Sequence, residues 1–78
     1  MLTLEQIKKL VMDVVFVVGN PVRQDINNLL DLPLSTTDGV IDDLVLTGML
    51  KVVEDAGEYR YSVTTLGRTT YKQTRRLK

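Results

Sequence analysis

The side chains able to do chemistry in this sequence are few. Asp38, Asp42 and Asp43 lie close together, and Arg68, Lys72, Arg75 and Arg76 gather near the C-terminal end. There is no cysteine and no histidine. That composition removes disulfides, thiolate nucleophiles, imidazole acid–base catalysis and the usual zinc ligands. Ser35 and Ser62 therefore have no histidine base, and the glycines after Gly19, at 39, 48, 57 and 67, do not have the spacing of a phosphate-cradling loop. Carboxylates remain as strong ligands for a hard cation, but three aspartates on one helix lack the looped cage that calcium or magnesium needs. The expectation is a non-enzymatic chain with no metal, no cofactor and no small-molecule substrate.

Binding chemistry is left, and the charges say where it could sit. Net charge is zero, with ten cations against ten acids. Residues 1–65 hold all ten acids and five cations (Lys8, Lys9, Arg23, Lys51, Arg60), while residues 66–78 hold the other five cations and no acid. An acidic body with a basic tail results. The longest apolar run, Val14 to Val18, is far short of the roughly 20 residues that span a bilayer. No secretory leader pattern is visible, so a soluble, cytoplasmic domain is the expectation.

The elements that position these groups follow from periodicity. Leu4, Ile7, Leu10, Val11, Val14, Val15 and Val18 recur at helical spacing and predict a first helix over residues 3–18. Val14–Val18 alone would suit a strand, because β-branched residues favour sheets, but the upstream helical phase outweighs it. Gly19-Asn20-Pro21 breaks the pattern, with Asn20 suited to cap and Pro21 to open a second helix ending near Asp31. Leu32-Pro33-Leu34 forces an extended turn. Ser35, with Asp38 three residues on, reads as the N-cap of a third helix that runs to about Thr47 and stops at Gly48. Val40, Ile41 and Leu44 are its inward stripe, with Thr37 at the edge. Met49–Val53 and Tyr59–Val63 read as strands joined by a turn at Asp55–Glu58, and Thr64 or Thr65 can cap a last helix.

Helix, helix, tight turn, helix, hairpin, helix is the order of a winged helix. The run Leu30-Asp31-Leu32-Pro33-Leu34-Ser35-Thr36-Thr37, continuing to Leu44 and Gly48-Met49-Leu50, resembles the turn and third helix of winged helix-turn-helix families. Tyr59-Arg60-Tyr61-Ser62-Val63-Thr64-Thr65-Leu66-Gly67-Arg68 resembles the second wing strand and following helix of MarR-like and PadR-like regulators. The first half is also similar to winged-helix domains that precede ATPase domains in bacterial multidomain proteins, which implies one module of a longer chain. The resemblance implies an α+β fold: a three-helix core, a two-stranded β-hairpin wing and a C-terminal helix. One domain is expected over residues 1–78, with residues 65–78 as its basic C-terminal helix or tail.

Three surfaces then compete for function. With Val40, Ile41 and Leu44 turned inward, the outer face of the third helix carries Asp38, Gly39, Asp42, Asp43 and Leu46, three acids and no cation. Duplex DNA holds about one negative charge per 1.7 Å of axis, so such a face repels it. The acids could instead be solvated, with Asp38 as a cap, or form a polar rim around Leu46 as the anchor for a cationic protein. Met12 and Phe16, one turn apart and off the main apolar face of the first helix, are either covered by the last helix or an N-terminal residue, or offer a homodimer or partner surface. The third surface is cationic: Arg60 on the wing with Arg68, Lys72, Arg75 and Arg76. The leading expectation is a regulatory module acting by protein–protein contact with another protein or a second copy, through Met12, Phe16, Asp38, Asp42, Asp43 and Leu46. The alternative is a DNA-binding transcriptional regulator that approaches with Arg60 and the basic last helix, with weak non-specific nucleic-acid binding from the tail.

Overall fold

The computed structural model describes residues 2–71, which form four helices and one hairpin in the order α1 (Leu4–Val18), α2 (Arg23–Leu30), α3 (Leu34–Leu46), β1 (Leu50–Asp55), β2 (Glu58–Val63) and α4 (Thr65–Tyr71). This is a winged helix-turn-helix: α1 to α3 make the core, β1 and β2 the wing. Lys72, Arg75 and Arg76 lie outside the described residues.

α1 opens with a reciprocal cap, since Thr3 Oγ1 accepts the Gln6 N–H at 3.1 Å and Gln6 Oε1 accepts the Thr3 N–H at 2.8 Å. It ends at Gly19, whose φ of 79° turns the chain out of the helix. Pro21 was expected to open the second helix, but α2 begins two residues later. The reason is long-range: Val22 is extended and bridges Arg60, and the Pro21 carbonyl accepts the Tyr61 N–H at 3.0 Å. The inter-helix segment thus closes the free edge of β2.

The third helix also departs from its expected cap. Pro33, not Ser35, is the residue before the first turn, and no side chain caps it. Its carbonyl accepts the N–H groups of Thr36 and Thr37 at 3.0 and 3.1 Å, which places Ser35 inside the helix. Asp38 consequently has no capping role.

The wing pairs Leu50 with Val63 through Asp55 with Glu58, antiparallel. Strand pairing runs farther than expected, leaving a two-residue turn, Ala56-Gly57, with φ of 54° and 82°. Positive φ at both central positions suits the right-handed twist of the strands. Thr64 then caps α4: its Oγ1 accepts the Gly67 N–H at 2.9 Å and donates to the Gly48 carbonyl at 2.6 Å.

The core joins Val11, Met12 and Val15 of α1, Ile26 of α2, Val40, Ile41 and Leu44 of α3, Leu50 of β1 and Tyr61 of β2. Thr37 is buried with them, as its partial place on the inward stripe suggested. The face of α1 is rotated from expectation. Met12 is fully buried, whereas Leu4, Leu10 and Val18 are exposed. Met12 faces α4 at Gly67, where a Cβ would collide with the Met49 carbonyl and the Met12 methyl group. A short helix seated on α1 redefines which side of α1 is interior.

Candidate nucleic-acid interface

The outward stripe of α3 consists of Ser35, Gly39, Asp42 and Leu46, all exposed, with Asp38 and Asp43 half-buried at its flanks. Leu46 is 84% exposed, while Leu44 is 1% exposed. The helical phase read from the sequence is therefore the phase of the folded helix.

The acids on this stripe are not bare. Arg23, at the first position of α2, extends across the front of α3. Its guanidinium donates from Nη1 to Asp38 Oδ1 at 3.2 Å and from Nη2 to Asp42 Oδ1 at 2.8 Å. The same group donates from Nε and Nη2 to the Tyr61 hydroxyl at 3.2 and 2.8 Å and lies 5.5 Å from the Tyr61 ring centroid. A planar fork of five N–H donors can make these four hydrogen bonds at once, one more than the three N–H groups of a lysine allow. Burial works against its charge, but the hydrogen bonds to Asp42 and Tyr61 outweigh burial and hold the Arg23 pKa above its ordinary value. Arg23 therefore binds α2, α3 and the wing strand into one charged node.

Asp43 is met from the other side. Lys8 of α1 reaches its carboxylate at 3.1 Å and Glu5 at 3.6 Å, and the bond to Asp43 raises the Lys8 pKa. The uncompensated acidic face expected from α3 alone is thus flanked by two cations supplied by the helices beside it. In the sequence Arg23 is one of five cations of the acidic body. Its signal was its place immediately after Pro21-Val22, at the N-terminus of the helix that must cross α3.

The remaining expected site residues are dispersed. Arg60 is held on the wing by the Asn20 carbonyl at 3.0 Å and by Glu58 at 2.7 Å. Arg68 lies over the Phe16 ring, 5.7 Å from its centroid. Phe16 is half-buried, and Met12, with no exposed surface, cannot join it in a homodimer patch. That expectation is corrected: α4 covers Met12. Arg60, Arg68 and Arg23 are thus each held by different partners. Between α2, the start of α3 and β2 runs a groove lined by Val22, Arg23, Asn27, Leu34, Tyr59 and Tyr61 among others.

The sequence matches no family model and no curated protein. Solved structures share the fold. The chain is similar to the transcriptional regulator SlyA (TM-score 0.76, 22% identity, covering 83% of this chain and 48% of that one). It is similar to a predicted DNA-binding transcriptional regulator from E. coli (TM-score 0.72, 14% identity, 82% of this chain and 68% of that one). A third likeness is to the multiple antibiotic-resistance repressor MarR from Listeria monocytogenes (TM-score 0.73, 16% identity, 86% of this chain and 47% of that one). The chain spans about half the length of the SlyA and MarR structures.

Proposed function

We propose that this winged helix-turn-helix domain is a non-enzymatic DNA-binding module of a transcriptional regulator, with α3 as the helix that enters the major groove. The observation that carries the reading is the Arg23 node. Three carboxylates on α3 were the main physical objection to DNA, because affinity rests on neutralising phosphates. With Asp38 and Asp42 sharing Arg23, and Asp43 bonded to Lys8, two cations answer the three acids and the objection is reduced. What remains outward on the first half of α3 is uncharged: Ser35 and Gly39, the latter with open space where a Cβ would stand. A helix N-terminus without a side-chain cap also presents N–H groups and a positive dipole end to an anion. The three solved structures of like fold carry the names of regulators, which supports the same reading.

A second reading rests on Leu46, whose exposure beside Asp42 and Asp43 fits an apolar anchor with an acidic rim for a cationic protein. Titration of the full chain with mixed-sequence duplex, followed by amide chemical shifts, separates the two. DNA binding predicts shifts centred on Ser35, Thr36 and Gly39 that fade as salt rises. Absence of duplex binding at low salt would leave the protein-contact reading in its place.

A further inference from the structure

We propose that the outer edge of β1 is a self-pairing surface, through which two copies of this chain join their wings into one four-stranded antiparallel sheet. On β2, Arg60 and Tyr61 at the middle of the outer edge are taken by the Val22 bridge and the Pro21 carbonyl, whereas residues 51–55 of β1 are all exposed, including Val52 and Val53.

The direction of the free backbone groups follows from two bonds, one at the end of the ladder and one beside it. Thr64 donates to the Met49 carbonyl at 3.1 Å, which continues the register and makes the odd-numbered residues of β1 the ones bonded to β2. Tyr61, opposite Val52, sends its N–H away to Pro21. Val52 and Glu54 accordingly direct their N–H and C=O groups outward, unpaired by β2.

Charge selects the partner. The exposed strand reads Lys51-Val52-Val53-Glu54-Asp55. In an antiparallel pair of copies centred on Val53, Val52 exchanges backbone bonds with the second copy's Glu54. Lys51 then faces the second copy's Asp55 twice, one pair on each side of a Val53–Val53 contact. All three side chains project from one face, in the non-hydrogen-bonded positions where side chains approach most closely. Of the neighbouring allowed registers, the one centred on Val52 sets Lys51 against Val53 and pairs no charges, and the one centred on Glu54 sets two like charges directly opposite. Charged residues on an edge strand ordinarily discourage pairing, but here each charge meets its opposite. Lys51 and Asp55 make no ion pair among the described residues, and Arg60, the nearest cation on that face, is taken by Glu58 and Asn20. A five-residue edge is small, so the dimer belongs with transient interfaces and its ion pairs weaken with salt.

The test is sedimentation velocity of the full chain at low salt up to about 1 mM, with no nucleic acid present, so its result is independent of the DNA reading. The wild type and the double charge swap Lys51→Asp/Asp55→Lys are expected to dimerise alike. Lys51→Asp alone, which replaces two attractive pairs by two repulsive ones, should raise the dissociation constant roughly tenfold or more. Val52→Pro removes an outward N–H without touching the bonds to β2 and should give a monomer whose wing amide shifts are retained. Carbodiimide coupling of mixed light and heavy chains should link Lys51 to Asp55 between copies, since the two are about 13 Å apart along one strand. A wild type monomeric at every concentration, a Lys51→Asp chain that dimerises undiminished, or a double swap that fails to restore dimers would overturn the proposal.

Discussion

Leu44 and Leu46 sit two positions apart on α3 and have opposite fates. Leu44 is closed into the core while Leu46 stands in solvent. Leu44→Ala should lower unfolding free energy by about 2–5 kcal/mol, and Leu46→Ala should change it by less than about 0.5 kcal/mol; urea denaturation of the two variants checks the pair. Arg23 is the residue on which the functional account turns. Arg23→Gln would leave Asp38 and Asp42 facing each other without their shared cation and the Tyr61 hydroxyl without its donor. The node is about a third exposed, so solvent screens it. A stability loss of only about 1 kcal/mol is expected, with duplex affinity falling more, roughly tenfold. Equal duplex affinity in wild type and Arg23→Gln, measured by fluorescence anisotropy, would show that neutralisation of α3 is irrelevant to binding.

At the scale of elements, local pattern specified most of the fold. Periodicity located α1 and the phase of α3, Gly48 marked the end of α3, and Thr64 marked the start of α4. What local pattern missed came from contacts distant in sequence. Pro21 would open a helix by its own preference, but pairing of Val22 with Arg60 keeps that segment extended. Met12 lies off the apolar stripe of α1, yet the close approach of α4 at Gly67 makes it interior. The Arg23 contacts span 15 to 38 residues of sequence, beyond any helical or strand period. The α1–α4 contact gives its own prediction. Gly67→Ala must displace the Met49 carbonyl or the Met12 side chain, at a cost of about 1–3 kcal/mol typical of overpacking. Thermal melts followed by circular dichroism check it, and an unchanged midpoint would mean that α4 does not seat on α1 this closely.

For the whole molecule, a zero net charge conceals a functional arrangement. The acids of α3 are answered by Arg23 and Lys8 from neighbouring helices, and Arg60 is fixed at the wing root. Under the proposed function the α3 face, with two cations against three acids, is weakly acidic, so non-specific duplex affinity should be modest and sequence selection should depend on α3 itself. Among the described residues no helix is long and apolar enough to cross a membrane. Wing pairing, if combined with two DNA contacts, would let a weak domain gain affinity by linkage, since a second contact within a dimer is effectively intramolecular.

In the proposed function α3, its acids partly offset by Arg23 and Lys8, binds duplex DNA. This binding is tested most directly by selecting bound duplexes from a random pool at low salt with the full chain and with Gly39→Glu, which sets a carboxylate on the outward stripe without filling any packed space. The wild type is expected to enrich a defined sequence, and Gly39→Glu, folded by circular dichroism, to enrich none. Recovery of no duplex by the wild type, or the same enriched sequence from both chains, would contradict it.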